Sequence, residues 1–314
     1  MSITFNSFAS AVPGGHLAKW RPMRRALTVG CLLSLALASL VGCKPGQNAQ
    51  VFKRREHVYR SVVSLSPSTT EILLNVTLIP KLAGRTQFDD YPVSQVKSIP
   101  IVAGLKPDYE KLMGVHPDLI VYDEGLYNAE EVAKLKTQGA GMFALNANTL
   151  DGYVKQLWEL GNLVGGETHV SDYVDRIRIA MNTASAKPPL PTPKVAIIMP
   201  SVTGDDMISG TDSFLANIIV RCGGTPVGPK ADRFVKLSPE TLVQDNPDVI
   251  ICNGSKTEFA GAEAMLKDPR LQSVSAIKNK RIKLLDSSVL LRRGGRVDQL
   301  IDGVYRAISP PAAP

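Results

Sequence analysis

The sequence predicts an α/β protein of two Rossmann-like lobes with parallel-rich sheets, joined by a single long α-helix. Three observations carry this expectation. First, one passage occurs twice. Lys106-Pro-Asp-Tyr-Glu110-Lys-Leu112-Met-Gly-Val-His116-Pro117-Asp118-Leu-Ile120-Val121 returns as Lys236-Leu-Ser-Pro-Glu240-Thr-Leu242-Val-Gln-Asp-Asn-Pro247-Asp248-Val-Ile250-Ile251, at a constant offset of 130 with six of sixteen positions identical. Solenoid repeats have periods of roughly 20–50 residues, so this offset implies two similar lobes instead. Second, from Ser61 onward short β-branched runs alternate with helical segments, the pattern of parallel sheets. Third, a helical stretch from near His169 to Ala186 separates the two copies and stops before Pro188-Pro189, where the residue preceding a proline disfavours helix.

Taken in order, residues 1–42 read as a lipoprotein signal peptide. They hold Lys19, Arg21, Arg24 and Arg25 and no acidic residue, followed by an apolar run from Ala26 to Val41. That run is short for a membrane span and suits a signal-peptide core. Leu40-Val41-Gly42-Cys43 resembles a lipobox, with Cys43 as the lipidated residue. An uncleaved anchor, or a chance cysteine after an apolar run, is the alternative. Met23-Arg24-Arg25 forms a compact basic start, so Met23 competes with Met1 as the first residue. Residues 43–58 are polar and charged without a period, a lipid-anchored tether. Loss of the leader's four basic residues lowers the formal charge from +7 to +3. No basic run is interleaved with aromatics, which argues against nucleic acid as a partner.

The N-terminal lobe is assigned to residues 59–166. Its expected strands are Ser61–Leu65, Leu82–Arg85, Leu119–Tyr122 and Met142–Leu145. Its expected helices are Thr69–Asn75, Tyr109–Val115, Ala129–Gln138 and Leu150–Leu163. The connecting helix occupies 167–190, with Tyr173, Val174, Ile177, Ile179 and Met181 as its apolar contacts. The C-terminal lobe spans 191–308. It opens on strand Lys194–Met199, then a polar loop around Asp205-Asp206 and a helix from Asp212 to Arg221. It closes on strand Arg281–Leu285 and helix Val297–Ile308. Residues 309–314 form a Pro/Ala tail.

In each repeat copy a helix opens just before the glutamate. Asp108 or Ser238 serves as N-cap, and Pro239 suits the first helical position. Glu110 and Glu240 then lie in a first turn, where the helix dipole alone accommodates a carboxylate. Their recurrence on both lobes points to a two-sided partner. Pro117 and Pro247 end the helices, and Asp118 and Asp248 shape the turn into the next strand.

Ser64-Leu-Ser66-Pro67-Ser68-Thr69-Thr70-Glu71 follows the first strand, and Ser68-x-x-Glu71 has capping-box spacing. Strand C-termini and helix N-termini of α/β sheets face the ligand crevice, which makes Ser66, Pro67 and Ser68 candidate ligand contacts. The loops Gln87-Phe88-Asp89-Asp90-Tyr91-Pro92 and Tyr122-Asp123-Glu124-Gly125-Leu126-Tyr127 add Asp90, Tyr91 and Asp123. Each loop equally fits an ordinary surface turn. Cys222 and Cys252 remain beyond the leader. An oxidising compartment permits a disulfide between them, and two buried free thiols fit as well. The sequence contains no Gly-x-Ser-x-Gly, no P-loop and no metal-spaced Cys/His cluster, so no catalytic residue and no metal or other cofactor is assigned.

Together these motifs resemble the solute-binding proteins of bacterial ABC importers for cobalamin, haem and ferric siderophores, from about Tyr59 to Ile308. Carrying the resemblance are Ser64–Glu71, Asp90-Tyr91-Pro92, the Pro-Asp strand starts, Gly210-Thr-Asp-Ser-Phe214 with Cys222-Gly-Gly224, Leu237-Ser-Pro-Glu240 and Arg292-Arg293-Gly-Gly-Arg296. Ser-Pro-x-x-Thr-Glu and Asp-Tyr-Pro are most similar to the vitamin B12-binding branch. The resemblance implies a monomeric receptor, not an enzyme, anchored on the periplasmic or outer face of a bacterial membrane by lipid alone. It holds a small-molecule ligand between its lobes and delivers it to an ABC permease dimer with its ATPase subunits. It also implies that Glu110 and Glu240 pair with permease arginines, and that Phe234, Asp286 and Arg292 reach the ligand. Gly104 and Asp123 stand where tryptophans are implied. Cobalamin is the implied cargo, with haem or a ferric siderophore as the alternative. An envelope interaction protein without a transport ligand is the reading from a different class.

Overall fold

The computed structural model describes residues 58–75, 82–203, 205–254 and 260–310. The leader, Cys43, His57 and the tail beyond Pro310 lie outside the described residues.

The first lobe alternates strand and helix throughout: β1 (Val62–Ser64), α1 (Pro67–Asn75), β2 (Leu82–Thr86), α2 (Val93–Val96), β3 (Ile101–Ala103), α3 (Tyr109–Gly114), β4 (Leu119–Asp123), α4 (Ala129–Lys136) and β5 (Gly141–Leu145). Its sheet has the order β3-β2-β1-β4-β5, and every pairing is parallel. β1 is buried along its whole length and β4 along its first four residues, as continuous apolar runs between two helical layers require. Two helices then form a hairpin, α5 (Leu150–Val164) and α6 (Glu167–Ala186). Gly165 closes α5 in the left-handed region at φ 74°, a conformation that costs glycine little. At 20 residues, α6 is a rod of about 30 Å.

The second lobe contains β6 (Lys194–Met199), β7 (Met207–Ser209), α7 (Phe214–Arg221), β8 (Thr225–Pro226), β9 (Phe234–Lys236), α8 (Pro239–Asp245), β10 (Val249–Asn253), α9 (Ala260–Lys267), α10 (Ser275–Lys278), β11 (Ile282–Leu285), α11 (Ser287–Leu290) and α12 (Val297–Ile308). Its sheet runs β11-β10-β6-β7-β9, with β8 also paired to β6. β7 is antiparallel to both of its neighbours, so this sheet is mixed.

The connector differs from its expected seam. Val170, Tyr173, Ile177, Ala180 and Ala184 are the buried residues, spaced three and four apart along one stripe. Ile179, expected in contact, is 64% exposed. The largest core cluster runs from Val62, Ile72 and Val121 through α5 and α6 to Val195, Ile251 and α12. The lobes therefore share one continuous core around a helical spine.

Cys222 and Cys252 are both free and buried, which corrects the pairing left open above. Side chains alternate across a strand. Ile251 of β10 joins the core cluster that holds Cys222, while Cys252 joins the cluster on the other face. Burial pushes both thiols up to about 12.

The repeated Pro-Asp pair does the same work twice. Asp118 Oδ2 and Oδ1 accept from Arg60 N (2.8 Å) and Ser61 N (2.9 Å), fastening β4 to the start of β1. Asp248 Oδ2 accepts from Lys194 N (2.8 Å), fastening β10 to β6. We expect Asp118→Ala to lower unfolding free energy by about 1–2 kcal/mol, and Asp248→Ala by roughly half that, because it releases one amide rather than two. Urea unfolding measures both, and equal losses at the two sites would contradict this account.

Candidate functional site

Strand ends and loops of both lobes border a cleft of about 490 Å³. On the first lobe β4 delivers Asp123, the following 3-10 turn Glu124 and Gly125, and the β5 exit Asn146 and Asn148. On the second lobe β7 ends at Ser209, and Ser213 caps α7 through Ala216 N (3.1 Å), placing Phe214 and Leu215 at the wall. Phe234 of β9, preceded by Asp232-Arg233, and the segment Leu290–Arg293 complete the lining. The first-lobe wall is thus carboxylate- and amide-rich, and the second-lobe wall combines an apolar patch with two serines, an aspartate and three arginines.

A five-residue strap, Arg292–Arg296, reaches from the second lobe into the first. Arg292 Nη1 donates to Glu71 Oε1 (3.1 Å) and Asp90 Oδ1 (2.5 Å), and Nη2 donates to Asp90 Oδ2 (3.1 Å). Arg296 grips the same glutamate in a two-pronged pair, Nη2 to Oε1 (2.6 Å) and Nε to Oε2 (3.1 Å). Its guanidinium carbon lies 4.2 Å from the centre of the Tyr91 ring. Arg293 Nη2 donates to Asp123 Oδ1 (2.8 Å) and Leu145 O (3.2 Å), and its Nη1 to Ala147 O and Asn148 Oδ1.

The strap backbone is held from below. Tyr153 Oη donates to Gly294 O (2.5 Å), and Tyr173 Oη accepts from Val297 N (2.7 Å). Gly294 has no alternative residue here, since an added Cβ would sit 2.6 Å from Glu71 Oε2. Glu71 is 1% exposed. Such a carboxylate is stable in an interior only when paired and hydrogen-bonded.

The helix start beside it corrects the capping-box reading. Ser66 caps α1, its Oγ accepting from Thr69 N (3.1 Å), with Pro67 at the first helical position. Glu71 therefore lies beyond the cap, where the strap arginines meet it. Asp89 is buried and accepts from the hydroxyls of Thr70 and Thr86 and from Thr86 N, which fixes the loop that presents Asp90 and Tyr91. Desolvation pushes the Asp89 carboxyl up. Asp123 is likewise raised by burial, against the opposing pull of Arg293. Asp90, with 61% of its side chain exposed, is lowered chiefly by its hydrogen bond with Arg292.

Of the expected ligand residues, Asp123, Phe234 and Arg292 line the cleft together. Ser66 is fully buried as a cap, and Ser68 is buried with its hydroxyl hydrogen-bonded to Asp123. Pro67, Asp90 and Tyr91 lie outside the lining. Asp286 caps α11 through Ser288 N (2.9 Å) and Val289 N (3.2 Å), beside a different groove that runs along Leu285 and Gly303. Tyr122 and Tyr127 are core residues packed edge to face, and Tyr127 Oη donates to Leu65 O (2.7 Å). Sequence reasoning missed Asn146, Asn148, Ser209, Ser213 and the partner set of Arg293. Glu110 and Glu240 are exposed in the first turns of α3 and α8, capped by Asp108 and Ser238.

A two-sided cleft between parallel-rich lobes on a rigid helical spine defines the class of two-lobed binding proteins. The chain belongs to the periplasmic binding protein family, whose profile matches residues 62–289, and whose members are solute-binding proteins rather than enzymes. It is 25% identical over 256 residues to the uncharacterized ABC transporter substrate-binding lipoprotein YvrC of Bacillus subtilis, covering 78% of this chain and 80% of the relative. A vitamin B12-binding protein of Yersinia pestis is 24% identical over 206 residues, covering 65% and 72%. Among solved structures, a possible iron-binding periplasmic solute-binding protein of Staphylococcus epidermidis superposes with a TM-score of 0.69 at 23% identity, covering 81% of this chain and all of that one.

Glu71→Ala leaves Arg292 and Arg296 facing an empty buried site and is expected to cost about 3–5 kcal/mol in chemical denaturation. Asp90→Ala, at an exposed side chain, is expected to cost less than about 1 kcal/mol. Asp90 and Asp123 have opposite linkage. Asp90 lies below its ordinary 3.8, so it contributes stability above that pH, and the contribution is lost as pH falls through the folded value. Asp123 is raised above 3.8, so its ionisation lowers stability as pH climbs through its folded value. Carboxyl-detected NMR titration is expected to show Asp123 titrating above Asp90, and the reverse order would refute the assignment.

Proposed function

We propose that this protein captures a corrinoid of the cobalamin type in the inter-lobe cleft and delivers it to an ABC permease dimer with its ATPase subunits. The observation that carries the reading is an apolar patch set beside hydrogen-bonding groups in one cleft. Phe214, Leu215, Phe234, Leu290 and Leu291 offer an apolar surface for a broad ring face. Asn146, Asn148, Asp123 and Ser209 offer hydrogen-bonding groups suited to a fringe of amides. The described lining residues include no His, Tyr, Met or Cys to ligate an iron centre, which favours a corrinoid over haem. The vitamin B12-binding relative supports the same choice.

In this reading residues 1–42 are removed and Cys43 is lipidated, which holds the receptor at the envelope surface as a monomer. Residues 59–166 and 191–308 are the two lobes on either side of the 167–190 connector. Glu110 and Glu240 lie at the ends of the lobes toward which the strand C-termini point, one on each, and pair with arginines of the two permease subunits. Such exposed charges act on orientation and encounter rate more than on affinity.

Calorimetric titration of the leaderless chain with cyanocobalamin, dicyanocobinamide and hemin tests the cargo. A submicromolar Kd for a corrinoid, better than about −8 kcal/mol, is expected. Binding of hemin with no corrinoid binding would replace this cargo with the iron-chelate alternative. Glu110→Ala with Glu240→Ala is expected to abolish uptake in cells while leaving cargo Kd within about twofold. A lost Kd in that double variant would remove the docking role.

A further inference from the structure

The cleft carries three arginines that a carboxylate-bearing cargo would ordinarily recruit, yet each already pairs with a carboxylate of the protein. Arg292 is closed onto Glu71 and Asp90, and Arg293 onto Asp123. Arg292 and Arg293 are mostly buried, with 18% and 16% of their side chains exposed. Both are cleft-lining residues of the second lobe whose carboxylate partners belong to the first. Arg233, the third, pairs with its neighbour Asp232 at 3.3 Å. Arg293 Nε is buried without a hydrogen-bond partner, so one directed donor remains on a guanidinium whose charge is already matched.

We propose that Asp90 and Asp123 are specificity-determining residues: internal carboxylates that occupy Arg292 and Arg293 and bias the cleft against anionic cargo, in favour of uncharged or cationic cargo. A cargo carboxylate gains a charge-assisted pair only by displacing a carboxylate already in place, and the displaced one then loses its partner in a poorly solvated site. A neutral amide carbonyl needs no such exchange. Discrimination of this kind comes from penalising the wrong partner rather than adding contacts to the right one. Asp123 is central because burial already disfavours its charge, so an anion drawn to Arg293 meets a second carboxylate close by. Asp90 is the accessible half of the gate, since most of its side chain faces water.

This inference rests on the cleft being the cargo site, but not on which cargo is taken. The test uses hemin, which carries two free carboxylates, against its dimethyl ester, which has the same ring and none. Wild type and Asp90→Asn/Asp123→Asn are titrated with each by absorbance, after thermal melts establish that both are folded. Wild type is expected to bind hemin no tighter than the ester. The double variant is expected to favour hemin by about tenfold or more, with the preference shrinking in high salt. Asp90→Asn alone, at an exposed position, is expected to shift the preference in the same direction and serves if the double variant does not fold. A wild type that already prefers hemin, a double variant that gains no preference, or binding of neither porphyrin by any form would each overturn the proposal. Failure of cyanocobalamin to bind would refute the corrinoid reading while leaving the ester comparison intact.

Discussion

The rest of this structure is arranged around one carboxylate. Glu71 sits on the first helix of the first lobe, shut off from water, and two arginines from the far end of the chain close over it. Removing such a group from water is expensive, and an interior tolerates it only when geometry returns most of the loss. The geometry here is demanding. Arg296 meets both carboxylate oxygens, and Arg292 divides itself between Glu71 and Asp90. The backbone beneath must be glycine at position 294, because the glutamate occupies the volume a side chain would need. Two buried tyrosines from α5 and α6 then hold that same backbone. The pair is therefore tied to the spine as well as to both lobes.

The arrangement constrains motion. The lobes share a core that runs without interruption through α5, α6 and α12, and the strap crosses between them on the cleft side. One side of the molecule is fixed by packing and the other by charge. Packing changes little with solution conditions, whereas exposed or half-exposed ion pairs respond to salt and pH. The element most responsive to salt and pH is thus the rim where Asp90 and Arg292 meet.

Local chemistry was legible in the sequence, and long-range chemistry was not. Asp108 and Ser238 act as caps, and Asp118 and Asp248 stitch their strands, because each works on backbone within its own motif or on the strand beside it. The long parallel strands announced themselves as unbroken β-branched runs. β7 and β9 did not, being three residues each in a Gly- and Asp-rich neighbourhood, on the antiparallel side of the sheet, where burial no longer demands a long apolar run. Glu71 was misread for a definite reason. Ser68-x-x-Glu71 has capping-box spacing, but Ser66-Pro67 is the stronger start signal, since proline at the first helical position wants a cap immediately before it. Arg292-Arg293-Gly-Gly-Arg296 was visible as a motif. Its carboxylate partners stood 170 to 225 residues away, at a separation where one sequence offers no pairing information.

Asp123 joins these threads. The family resemblance implies an aromatic at this position, a residue that would contribute to a cargo only by contact. An aspartate in its place offers no ring face and holds Arg293, which in turn fastens the strap to the ends of β4 and β5. The substitution converts a surface that greets the ring of a ligand into one that completes the bridge between lobes. The remaining apolar contact then falls to the second lobe, to Phe214 and Phe234, while the first lobe presents charge-matched polar groups. The cleft thus gathers its apolar contacts on the second lobe and polar groups on both, and the Arg293–Asp123 pair ties the two walls together.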